Sequence, residues 1–226
     1  MTSTLAITET VQDYLKAIYT LTDEGEETTT KLLAERLNVA APSVTNMLQR
    51  LAGFKPPLVE YRKHQGVSLT SAGREEALRT IRRHRLIELF LVRYLGYGWE
   101  EVHAEAERLE HAVSSRFEDR LAELLGEPDF DPHGDPIPDR NLILPTTRLV
   151  PLALMPEGAS GVVRKISHAE LGLVRYLEEM GVRMDARLKV LAQVPWDRTV
   201  HIQIDGDDQE RVLGETLAAL VSLEED

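Results

Sequence analysis

The chain has 226 residues, 42% of them hydrophobic, and a formal net charge of −12, enough apolar material for two or three small domains with real cores. No run approaches the roughly 18 consecutive apolar residues that span a bilayer, and the N-terminal MTSTLAITETVQDYLK lacks the layout of a signal peptide, so the sequence predicts a cytoplasmic globular protein with no membrane partner. With no cysteine, disulfides and thiolate metal sites are excluded, and any metal has to be held by His, Asp, Glu or backbone oxygen.

In chain order, residues 11–20 (VQDYLKAIYT) place Val11, Leu15, Ile18 and Tyr19 on one helical face. Residues 28–37 (TTTKLLAERL) predict a second helix behind a Thr cap. Asn38-Val39-Ala40 then turns the chain into a third, APSVTNMLQRLA, with Pro42 in its first turn and Val44, Met47, Leu48 and Leu51 inward. This is a helix-turn-helix pattern. The alternating LVEYRKHQGVSLT predicts a hairpin about Gln65-Gly66 with Arg62, Lys63 and His64 at its tip, which makes the motif a winged one. Residues 71–125 are helical in pattern with a break at Gly96-Tyr97-Gly98, EPDFDPHGDPIPDRNLILP is a loop or linker, and the runs after Thr147 predict a small β-barrel interrupted by the helical SHAELGLVRYLEEMG.

The acidic total would repel duplex DNA, but residues 28–85 hold eleven basic against four acidic residues, a net of +7 on a chain whose remainder is −19. A positive island of this kind points to one segment that meets a polyanion. Within it the exposed side of the third helix offers Pro42, Ser43, Thr45, Asn46, Gln49 and Arg50 to base edges and phosphates, with Lys31 and the basic wing beside it. An ordinary solvated helix face is the alternative reading.

The second constellation lies in EEVHAEAERLEHAVSS, read as one helix over residues 100–115. His103, Glu107 and His111 recur every four residues and Glu110 follows Glu107 by three, so all four share a face. A solvated charged face produces the same run. Against that, RRHRLIELF carries His84 and Glu88 at the same spacing and the first helix carries Asp13, so three helices offer groups able to bind a divalent cation. The Glu100-x-x-His103 element of di-iron bundles has no second copy, and no HExxH, Walker A or nucleophile-elbow pattern occurs; the chain does not read as an enzyme.

DYLKAIY, LAERLNVAAPSVTNMLQRL, LTSAGREEA, RRHRLIELFL, VHAEAERLEH and DPHGDPIP, in this order, resemble the diphtheria toxin repressor family of metal-dependent regulators across nearly the whole chain. The resemblance implies a mainly α fold with a β module: a winged helix-turn-helix over residues 1–74, a helical dimerisation and metal-binding domain with its Pro-rich linker over 75–147, and an SH3-like domain over 148–226. It implies a homodimer on double-stranded operator DNA with its recognition helices about 34 Å apart, and a divalent metal as co-repressor for genes of metal homeostasis. The primary metal site it implies is Asp13 with Glu107, Glu110 and His111. His84, Glu88 and His103 match an ancillary site, to which the SH3-like domain adds Glu170, with His168 a neighbouring candidate. Asp13 and Glu107 stand where iron-responsive members carry Met and Cys, and hard carboxylate in place of sulfur favours Mn2+, with Fe2+ the alternative. Lys16 stands where manganese regulators often place a carboxylate. Two other functions stay open at this stage, a metal-independent winged-helix DNA binder and a metal-buffering or transport-accessory protein.

Overall fold

The computed structural model describes residues 7–23, 25, 28–62, 66–146, 149–167 and 171–226. Helix α1 (Glu9–Asp23) forms because Val11, Tyr14, Leu15 and Ile18 recur at three- and four-residue spacing and are buried together. That face leaves Gln12, Asp13 and Lys16 on an adjacent, partly buried stripe. Helix α2 (Thr30–Arg36) starts where the Thr29 side chain accepts the Leu32 N–H. Asn38, at φ 52°, takes the left-handed turn conformation that asparagine tolerates, and α3 (Ala41–Ala52) begins with Pro42 in its first turn and buries Val44, Leu48 and Leu51. Strands β1 (Val59–Tyr61) and β2 (Val67–Leu69) pair antiparallel, Val59 opposite Leu69 and Tyr61 opposite Val67, so the expected winged helix-turn-helix is present.

Helix α4 (Ser71–Leu95) follows at once, then α5 (Trp99–Leu109) and α6 (Ser115–Leu125). The predicted helix over 100–115 is thereby corrected: α5 stops at Leu109, and Glu110 and His111 sit in the turn beyond it. The cause is local, because the Ser114 hydroxyl accepts the Phe117 N–H and starts a new helix, so the chain has to leave its path between the two. Gly126, in the left-handed conformation at φ 82°, closes α6.

Two compact units emerge. The first comprises residues 1–87, 104–127 and 138–143, the second 88–103, 128–137 and 144–226, each taken over its described residues. The second unit contains the expected SH3-like module. Its strands are β3 (Leu149–Pro151), β4 (Ser160–Ile166), β5 (Arg187–Val194), β6 (Thr199–Ile204), β7 (Glu210–Leu213) and β8 (Val221–Glu225), with helices α7 (Leu171–Glu179) and α8 (Glu215–Leu220). They form one antiparallel sheet in the order β3-β8-β4-β5-β6-β7 around Met155, Ile166, Leu177, Leu188, Ile202 and Leu223. The pairing of the last strand, β8, between β3 and β4 was not legible in the sequence.

Residues 128–137, expected as linker, are fastened to this module. The Ile166 N–H donates to the His133 carbonyl at 3.1 Å, and Lys165 pairs with Asp135 at 2.7 Å. Gly134, at φ +84°, lies so close to β4 that a Cβ would stand 1.7 Å from the Arg164 carbonyl oxygen. Gly158 has the same φ with nothing within 4 Å. Strain at a positive φ alone costs about 1–3 kcal/mol, so Gly158→Ala should lower the unfolding free energy read from urea titration by that much and Gly134→Ala by clearly more, the excess being the contact with β4. Equal losses would mean that the segment is a free tether.

Candidate metal centre

Within the first unit, α1 and the turn after α5 bring chemistry together. His111 Nε2 lies 2.9 Å from Asp13 Oδ1 and 3.4 Å from Glu110 Oε1, while its Nδ1 lies 2.8 Å from the Gln12 side-chain oxygen. Gln12 was not singled out by the sequence, yet it occupies the ring nitrogen facing away from the carboxylates. With an N–H donated to Gln12, Nε2 is the ring atom that faces Asp13 and Glu110 and would be free to coordinate a cation, the usual arrangement of a partner behind a ligating imidazole.

Glu110 is shared with a second group. Its Oε2 lies 2.5 Å from His84 Nδ1, and Lys16 Nζ donates to Glu107 Oε1 at 2.7 Å and to both Glu110 oxygens at 2.8 and 3.1 Å, with His84 Nδ1 3.0 Å away. The Glu110 side chain has 0% exposure, His84 6% and Lys16 15%. Ligand atoms of Asp13, Glu110 and His111, and separately of His84, Glu107 and Glu110, lie within 4.8 Å of one another. An oxygen- and nitrogen-rich cluster of this size suits a hard or borderline divalent cation, and it already accommodates one cation, the Lys16 ammonium. The residues therefore fit a metal.

Burial is the largest influence raising the Asp13 pKa above its ordinary value of 3.8; His111 opposes it, and Glu107 and Glu110 add to the rise. For a carboxylate shifted upward, the stabilising contribution is present below the unfolded value and is lost as pH rises through the folded one. The metal-free fold therefore loses stability as pH rises through the range in which Asp13 ionises.

In the second unit Glu88, 2% exposed, meets His103 Nδ1 at 3.1 Å, and buried His133 brings its Nε2 to 4.0 Å from the same Glu88 oxygen. His84 lies one turn before Glu88 on α4, but its Nδ1 addresses Glu110. His133 belongs to the segment read as linker, and its position was missed. The signal was DPHGD: the Asp131 carboxylate accepts the N–H groups of His133 and Asp135 at 2.8 and 2.9 Å, a loop that its own aspartate ties into one shape. Glu170 and His168 lie outside the described residues.

On α3, Pro42, Ser43, Asn46, Gln49 and Arg50 are exposed on one side, and Lys31 and Arg62 are exposed near them in sequence. Thr45 differs, since it is partly buried and its hydroxyl donates to the Ala41 carbonyl at 3.2 Å. Lys63 and His64 lie outside the described residues. The basic island is narrower than its sequence suggests. Arg82 and Arg83 pair with Glu118 at 3.0 and 2.9 Å, Arg82 being only 4% exposed, and Arg74 stacks over Tyr19. The Arg82 and Arg83 charges are committed to Glu118 and withdrawn from a polyanion, whereas Arg74 stays exposed beside Tyr19.

Replacing Asp13 by Asn should raise the melting temperature of the metal-free protein at pH 7, because it removes a partly buried charge from a cluster of carboxylates. At Mn2+ a hundredfold above Kd the parent should gain about 2.7 kcal/mol per site and the variant almost nothing at this cluster, as read by calorimetry with and without metal. A variant that is less stable without metal and equally stabilised by it would refute the assignment.

The family model for the DNA-binding domain of iron-dependent repressors matches residues 6–67, that for their metal-binding and dimerisation domain residues 70–139, and the FeoA domain residues 150–225. The iron-dependent repressor IdeR of Mycobacterium leprae is 34% identical over 196 residues, 81% of this chain and 84% of that protein. The diphtheria toxin repressor of Corynebacterium diphtheriae is 29% identical over 230 residues, 97% of this chain and 98% of that protein. Among solved structures, a manganese-dependent transcriptional repressor in complex with manganese is 41% identical with a TM-score of 0.83, covering 96% of this chain and 100% of that one. The manganese regulator SloR is 31% identical with a TM-score of 0.72 over 97% and 100%. The chain belongs to the diphtheria toxin repressor family of metal-dependent, DNA-binding transcriptional repressors.

Proposed function

We propose that this chain is a manganese-responsive repressor of metal-homeostasis genes, acting as a homodimer on operator DNA in the cytoplasm. One observation carries the reading: Asp13, on the first helix of the winged helix-turn-helix, lies 2.9 Å from His111 and in one cluster with Glu110, beyond α5. A divalent cation bound there would neutralise the carboxylates and join α1 to that turn. Asp13, Glu110 and His111 would hold it, Gln12 orients the imidazole, and Glu107 borders the cluster. α1 is then held in one relation to the rest of the first unit, and α3 is presented in one orientation. Without the cation the carboxylates repel and that relation loosens.

The donor set supports Mn2+ over softer ions, since sulfur is absent from the cluster. Fe2+ is the second reading, favoured by the 34% identity to the iron-dependent repressor IdeR. The described residues contain no helix long and apolar enough to cross a membrane. The division of labour follows the three stretches 1–74, 75–147 and 148–226 as DNA-binding, dimerisation and SH3-like parts. The expected DNA contacts are Arg50, Asn46, Gln49, Thr45, Ser43 and Pro42 on α3, Lys31 on α2, and the wing from Arg62 through Lys63 and His64.

A duplex selected in vitro with the Mn2+-loaded protein gives the test. At fixed salt, Mn2+ should tighten binding about 5- to 150-fold, Arg50→Ala should weaken it with or without metal, and Asp13→Ala should abolish the metal response alone. Equal affinity with and without metal would overturn the reading in favour of a metal-independent DNA binder, and an Arg50→Ala protein with undiminished affinity would favour a metal buffer. Parallel titrations with Mn2+, Fe2+ and Zn2+ rank the ions.

Glu88, His103 and His133 form a second candidate centre, with Glu170 a further candidate donor from the SH3-like part. Equilibrium dialysis of a Glu88→Gln, His133→Ala protein should count one Mn2+ fewer per chain while the Asp13 cluster stays loaded. An unchanged count removes this centre.

A further inference from the structure

We infer that Lys16 is a tethered cation that fills one of the two cation positions of the Asp13, Glu107 and Glu110 cluster, so that this cluster takes a single divalent ion. The inference rests on the proposed role of Asp13, Glu110 and His111 as ligands. The cluster has two overlapping sets of ligand atoms with Glu110 in both: Asp13, Glu110 and His111, and His84, Glu107 and Glu110. The Lys16 ammonium sits on the second set, 2.7 Å from Glu107, 2.8 and 3.1 Å from Glu110 and 3.0 Å from His84 Nδ1. An ammonium has three donors and no acceptor, and here they meet Glu107 Oε1 and both Glu110 oxygens, carboxylate oxygens that a metal ion in that position would need.

Charge agrees with geometry. Three carboxylates and one ammonium leave two negative charges, which one divalent ion cancels. A second ion would have to displace Lys16 or leave two positive charges uncompensated beside the 0% exposed Glu110 side chain, a costly arrangement at a buried site. Asp13 and Lys16 are three residues apart on α1, one turn of helix, so the same helix delivers a ligand to one position and a plug to the other. The plug also holds Glu107 and Glu110 in place before metal arrives, which reduces the ordering that binding has to bring about.

The test uses the full-length protein with Mn2+ alone, counted by equilibrium dialysis and examined by electron paramagnetic resonance. Two Mn2+ ions sharing the Glu110 carboxylate are spin-coupled, whereas single ions give the resolved hyperfine pattern of isolated Mn2+. The parent should show isolated ions only, and Lys16→Glu should bind one more Mn2+ per chain and display a coupled pair. A coupled pair in the parent protein, or a folded Lys16→Glu protein with an unchanged count, overturns the inference. The parent spectrum decides it even where the variant does not fold. Asp13→Ala separates the two levels of argument: an unchanged Mn2+ count in that variant removes the metal reading of the cluster, whereas a loss of one ion together with no gain in Lys16→Glu removes only the role given to Lys16.

Discussion

The first unit is organised around one buried anion. The Glu110 side chain has no exposed surface, and a carboxylate in that position is tolerated only where cations and hydrogen-bond donors surround it. Its partners come from elements far apart in sequence: Lys16 from α1, His84 from α4 and His111 from the adjoining turn. To compensate Glu110 the chain has to bring the first helix of the DNA-binding motif against the end of α5. Under the proposed reading, that same requirement would make the motif sensitive to the cation state of the cluster, and the coupling between sensing and DNA binding would need no extended path, because Asp13 lies on the first helix of the motif.

The second unit handles its polar groups in a different way. Glu88 is as buried as a hydrophobic residue, 2% exposed, and finds His103 and His133 beside it. His133 is held there by backbone bonds to β4 and by the Asp131 carboxylate, and Gly134 permits the approach because it has no Cβ. A Pro- and Asp-rich stretch that composition marks as a connector thus behaves as a docked arm of the SH3-like module. Its fixed shape puts an imidazole at a place that periodicity along a helix could not indicate.

An acidic protein that binds DNA has to segregate its charge. The segregation here is partial, for two arginines of α4, Arg82 and Arg83, serve an internal purpose. Arg82 and Arg83 share Glu118 and Arg74 lies over Tyr19. What remains on the outside is the exposed row of α3 with Lys31, Arg36, Lys55, Arg62, Arg74 and Arg79. On a chain of net charge −12, the repulsion of the remainder makes correct orientation of that surface matter more, which suits a regulator whose output is orientation.

Much was legible because it depends on local rules. Residue spacing gave α1, α3 and the wing hairpin, since helical and strand periodicities place apolar side chains on one face whatever lies beyond them. The absence of cysteine settled the chemistry of any ligand set. Six motifs in order carried the family, and the identities of Asp13, Glu107, Glu110 and His111 followed from them. What the sequence could not supply were relations between distant segments. The end of α5 at Leu109 depends on the Ser114 cap, and β8 finds its place between β3 and β4 only in the assembled sheet. His84 turns to Glu110 because a buried carboxylate draws every available donor. Gln12 and His133 acquire roles solely through neighbours about 99 and 45 residues away, and the ammonium of Lys16 becomes a counter-cation only once three helical segments meet. Pattern along the chain determines which groups are offered; the compensation of buried charge, which acts through space, decides which of them are used.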